Sequence, residues 1–205
     1  MTDIRENFKK AYTRMLQQEK FVQAVINLSE DEGLDLDLAR QVDERYGCLE
    51  IGDPDDMANK YAGDDKWMDN SLSIIENRFA YVIKAVVDYD EGQIINLKER
   101  FYGLGQEYMP EYEGLPIRHI YNVIRDLLLD GGRTEELNEV ISEEFDVIIW
   151  KRTRPSPCKY WAYLDVDFNK YYLPLRQQFI DGLTEKTDVE FKKLDESVCV
   201  LARRM

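Results

Sequence analysis

Apolar residues recur at helical spacing from the start of the chain. Ile4, Phe8, Ala11, Met15, Val22 and Val25 follow one another mostly at three or four residues, which places them on one helix face. Asp3 followed by Glu6 fits a capping box, where the first amides of a helix need acceptors. The acidic run from Ser29 to Asp37, around Gly33, ends this element. A shorter helix is expected over Leu36 to Tyr46, with Gly47 as its stop. Residues 47–65 are the least regular. Gly52-Asp53-Pro54-Asp55-Asp56 reads as a turn, and Gly63-Asp64-Asp65 as a second break with an acid placed to cap the next helix.

The clearest stripe is Met68, Leu72, Ile75, Phe79, Val82, Ile83 and Val86, which predicts a central helix over Lys66 to Val87. Ile94 to Tyr102 reads as another helix, broken by Gly103, Gly105 and Pro110. Leu115 to Asp130 is helical again, with Pro116 in its first turn and Gly131-Gly132 closing it. Thr134 is placed to cap a short helix through Ile141.

Near residue 145 the period changes. Phe145 to Lys151 is a β-branched and aromatic run, Arg152 to Cys158 reads as a loop, and Lys159 to Asp167 as the returning strand. Tyr172, Leu175, Phe179 and Leu183 restore helical spacing, and Asp188 to Leu194 with Val198 to Arg203 predict a hairpin. The expected fold is therefore α+β: a mostly helical part over 1–144 packed with a small antiparallel sheet, ordered β-β-α-β-β, over 145–205.

Charge sharpens that division. The chain has 205 residues and a formal charge of −14, from 27 basic and 41 acidic side chains. Residues 146–205 hold 11 basic and 9 acidic residues, a balance of +2. The first 145 therefore hold 27 − 11 = 16 basic and 41 − 9 = 32 acidic, a balance of −16. Such a field disfavours direct binding to nucleic acid or membrane and leaves the C-terminal part free to meet an acidic partner. No stretch approaches the roughly 18 uncharged apolar residues that a membrane helix needs. The charged opening residues lack the apolar core of a secretory signal. Cys48, Cys158 and Cys199 are sparse and lack CxxC spacing, so reduced thiols and a cytoplasmic location are expected.

Asp165 and Asp167 are the sharpest catalytic candidates. On a strand, residues two apart share a face, and paired carboxylates can hold Mg²⁺ or Mn²⁺ for phosphoryl chemistry, with Glu190 as a third ligand. The simpler reading is a strand with Leu164, Val166 and Phe168 inside and its acids in water, so no cofactor is assigned. Arg152, Arg154 and Lys159, interleaved with Trp150, Tyr160 and Trp161, form the best surface for an anion or a partner. Arg forks match carboxylate or phosphate oxygens, and aromatic rings can stack. The plainer alternative is a solvated hairpin tip whose aromatics belong to the core. His119, the one histidine, falls off the apolar face of its helix. The run from Asp88 to Glu99 imitates a calcium loop but carries Gly92 and Gln93 where a ligand and the turn glycine belong. Gly103-Leu104-Gly105 is no dinucleotide fingerprint, since no strand precedes it.

Three functions remain. The first is a non-enzymatic protein-binding module, an adaptor, assembly subunit or inhibitor, acting through its electrostatic asymmetry and able to associate with its own copies. The second is a metal-dependent phosphoryl-transfer enzyme or nuclease built on Asp165 and Asp167. The third is an acidic nucleic-acid mimic that blocks a nucleic-acid-binding partner. The first is favoured, because it needs no feature the sequence lacks.

Overall fold

The computed structural model describes residues 4–108, 114–130, 138–153, 158–195 and 197–204. Helices α1 (Ile4–Asp31), α2 (Leu38–Tyr46), α3 (Pro54–Tyr61), α4 (Asp65–Tyr89), α5 (Ile94–Gln106) and α6 (Ile117–Leu127) come first, with a 3-10 turn at Glu91–Gln93. Strands β1 (Asn138–Glu144) and β2 (Val147–Arg152) follow, then helices α7 (Cys158–Tyr163) and α8 (Tyr172–Thr184), then strands β3 (Val189–Lys193) and β4 (Val198–Arg203). The fold is α+β.

Local chemistry accounts for three helix ends. The Asp53 carboxylate accepts from the amides of Asp55 (2.9 Å) and Asp56 (3.3 Å), and Pro54 occupies the first helical position. The expected turn at Gly52–Asp56 is thus the start of a helix, α3. Asp64 caps α4 by accepting from the Trp67 amide at 2.9 Å, and Gly47, at φ 75°, stops α2. Along α4 the predicted stripe is buried, with Ile75, Val82, Ile83 and Val86 fully enclosed.

Helix α5 runs through both Gly103 and Gly105, where the sequence suggested a break. Gly105 is there for proximity. A Cβ on it would overlap the Phe179 carbonyl oxygen and lie 2.7 Å from the Leu183 amide, both on α8. Gly182 faces back in the same way, so that its Cβ would overlap the Tyr102 carbonyl oxygen. Two helices approach here backbone to backbone, which only glycine permits.

The C-terminal sheet is antiparallel in the order β1-β2-β4-β3. An antiparallel sheet with helix inserted between two strand pairs was expected, but the order is β-β-α-α-β-β and three segments differ from expectation. From Asn138 the chain is strand β1, not the end of a helix through Ile141; the proposed cap, Thr134, lies outside the described residues. Phe145 and Asp146 form the turn between β1 and β2 rather than opening a strand. Residues 159–167 are not the returning strand either: Cys158–Tyr163 is helix α7, followed by a turn.

One sheet face is closed. Ile148, Trp150, Cys199, Leu201 and Phe191 are buried there, and the Tyr121 ring of α6 meets Trp150 edge-on at 5.1 Å. Buried side chains from both parts of the chain belong to one continuous cluster. At its centre Phe21 lies 5.1 Å from Phe101 and 4.9 Å from Phe179, while Phe79 meets Trp161 at 5.7 Å. Among the described residues no helix is long and apolar enough to cross a membrane.

Candidate functional site

The strand that would align Asp165 with Asp167 is absent. Asp165 adopts a left-handed conformation (φ 57°) in the turn after α7. Asp167 spends one carboxylate oxygen on the amides of Asn169 (2.9 Å) and Lys170 (3.0 Å), a local turn contact. Glu190, on β3, takes a hydrogen bond from Lys192 beside it. Among the described residues no group of three or more His, Cys, Asp or Glu side chains is placed to hold a metal ion.

The basic and aromatic set does not share one surface. Trp161 is fully buried against Phe79, Phe168 and Tyr172, so it serves the core instead of a partner. Arg152 turns inward, with Nη1 at 3.9 Å from the buried Asp130 carboxylate. Lys159 stays on the surface over the Tyr160 ring, and Arg154 lies outside the described residues. His119 is exposed on α6.

Arg152 instead belongs to a buried polar cluster that sequence reading missed. Arg176 of α8 holds Asp130 with two parallel bonds, Nε to Oδ1 and Nη2 to Oδ2, each 2.8 Å. The Tyr172 hydroxyl donates to Oδ1 at 2.8 Å. Burial alone would raise the Asp130 carboxyl, but the Arg176 charge and its hydrogen bonds, with Arg152 behind, hold it well below the ordinary carboxylate value. Burial, then the Asp130 charge, push the Tyr172 hydroxyl well above its usual value. The cluster is closed to solvent and joins the turn after α6 to α8 and the sheet, so its chemistry is that of a structural clasp.

An open groove of about 980 Å³ lies elsewhere, between α1 and α5. Helix α5 contributes Asn96, Glu99, Arg100, Gly103 and Leu104, with Glu107 just past its end, all at helical spacing on one face, and α1 contributes the matching face from Leu16 to Leu28. The two helices run antiparallel here, since the end of α1 lies by the start of α5. Each end of the groove is tied. Arg100 bridges to Asp31 at 2.5 Å, while Tyr108 takes a bond from Lys20 at 3.2 Å and donates to Gln17.

Half-buried Leu16 and Leu104 supply apolar surface to the groove over the buried Ala24 and Leu28 at its floor, and Ile51 lines it with 70% of its surface exposed. Glu19 is fixed from behind. Buried Arg78 of α4 donates to both its oxygens, at 3.1 and 2.9 Å, and Gln23 adds a third bond at 3.0 Å. By contrast Glu32, Glu99 and Glu107 bring negative charge to the groove without an ion pair among the described residues. The groove's own cations, Lys20 and Arg100, are held in the end ties. The cleft is therefore apolar and acidic at once.

No family model, no curated protein and no solved structure matches the chain.

Proposed function

We propose that the protein is a protein-binding module, and that its partner sits in the groove between α1 and α5. The observation that carries this reading is the open groove itself, with apolar side chains from two rigid helices and an isoleucine left 70% exposed in its lining. Isolated apolar side chains on a surface mean little, but apolar surface gathered in a cleft with charged residues around it is how helical proteins receive a peptide or a second chain. The reading keeps the binding function expected from the sequence and moves it from the basic loop to the acidic helical part. No observation favours the metal-dependent enzyme or the nucleic-acid mimic over it.

Site-directed photo-cross-linking in the producing cell tests the proposal. A benzophenone side chain at Ile51 or Leu104 should trap a defined protein adduct, while the same group at Tyr163, exposed and on α7, should not. The paired change Leu16→Glu and Leu104→Glu should abolish the adduct formed from Ile51. Equal cross-linking from Tyr163, or an adduct indifferent to the paired change, would remove the groove from consideration. An adduct between two copies of the chain, matched by a concentration-dependent mass in light scattering, would make the bound protein a second copy.

A further inference from the structure

Gly103 lies in the last turn of α5, inside a helix that glycine weakens, and no contact among the described residues requires it. A Cβ built on Gly105 collides with α8, but one built on Gly103 has nothing within 4 Å. The two glycines are two residues apart, about 200° around the helix, so they face nearly opposite ways. One face of α5 uses its glycine to receive α8. The other presents its glycine to the groove, opposite a helix face that carries another small residue, Ala24.

We infer that the groove takes a basic amphipathic α-helix from another protein, crossing α5 closely at Gly103. This rests on the groove being the binding site, as proposed above. The walls extend from Leu16 to Leu28 on α1, about 18 Å at the helical rise per residue, which accommodates about three turns of a docked helix. Such a helix would bring a small residue, glycine, alanine or serine, to Gly103, as α8 brings Gly182 close to the α5 backbone at Tyr102. Its apolar positions would meet Leu16, Leu104 and Ile51. Lysines or arginines along its margins would meet Glu32, Glu99 and Glu107, which have no cation of their own among the described residues. A docked acidic helix would meet net repulsion instead, since four glutamates line the groove against Lys20 and Arg100, and Arg100 is already paired with Asp31.

Fluorescence anisotropy with synthetic helical peptides of about 16 residues tests the assignment. The probe peptide has alanine at its centre, leucines on the same face and lysines on both flanks; one control carries glutamates on the flanks and another phenylalanine at the centre. The lysine peptide should bind, and both controls should bind at least about tenfold more weakly. Gly103→Leu should fold normally, because its side chain enters open space, and should weaken the lysine peptide by about tenfold or more. Glu99→Lys with Glu107→Lys should weaken it similarly. If none of the peptides binds, if the lysine and glutamate peptides bind alike, or if Gly103→Leu leaves binding unchanged in a folded protein, the inference is wrong. Should cross-linking from Ile51 still trap a protein in that case, the groove remains the binding site and only the class of its occupant has failed.

Discussion

Asp130 sits where burial and backbone geometry both weigh against an ordinary residue. It is 4% exposed and holds φ 48°, a conformation that aspartate and asparagine tolerate better than other side chains with a Cβ. Arg176 and Tyr172 supply what the solvent would have given. Asp130→Asn keeps the backbone preference and shape but leaves Arg176 as a buried charge without its anion, so it should destabilise the fold by about 3 kcal/mol or more in urea unfolding. Asp130→Ala should cost more, because it adds backbone strain. The same carboxylate gives stability a pH dependence. Its value in the folded chain is depressed, so between that value and about 3.9 in the unfolded chain the native state binds fewer protons. Its contribution is complete above about pH 5 and is lost as the pH falls through the acid range. Unfolding measured from neutral pH down towards about pH 3 should show a steeper loss for the natural chain than for Asp130→Asn.

The two glycines of α5 make opposite predictions. Gly105→Ala pushes a methyl into the α8 backbone and should destabilise by about 1–3 kcal/mol, or more if the helices must separate. Gly103→Ala meets open space and should stabilise by about 0.5–1 kcal/mol, since alanine restricts the unfolded chain and suits the helix. Equal effects in thermal unfolding would mean that the approach of α8 is not what demands Gly105. From sequence these residues look the same, because both are glycines after a periodic run and both suggest a terminus. What separates them is contact with α8, whose residues lie far along the chain. The groove was illegible for the same reason: the α1 and α5 faces are each polar enough to pass for solvated surface, and nothing local says that they face one another. Elements whose burial is written in their own period, such as α4 and α8, were legible. Strand β1 was not, since an edge strand as polar as Asn138–Glu144 needs few apolar residues. Helix α7 was not, since one buried tryptophan and not a stripe holds it down.

At the scale of the whole molecule, charge and core pull in different directions, and salt separates them. The excess of acidic over basic side chains leaves −14 on the chain, a repulsion that opposes the compact state. Ion pairs such as Lys60–Glu50 and Lys84–Asp88 act against it but lie towards solvent, where they contribute little and are weakened by the same ions. The pairs that matter most, Arg78–Glu19 and Arg176–Asp130, are buried and little screened. Raising sodium chloride from about 10 mM to about 200 mM should therefore increase Tm, because the repulsion it relieves is spread over the acidic surface. A falling Tm would mean that the exposed pairs outweigh the net charge. Association with a lysine-rich helix should move the opposite way and weaken over the same range, since Glu32, Glu99 and Glu107 attract it through solvent. Salt that strengthened both would leave apolar contact alone to hold the helix in the groove, and the acids beside it would have no part in choosing the partner.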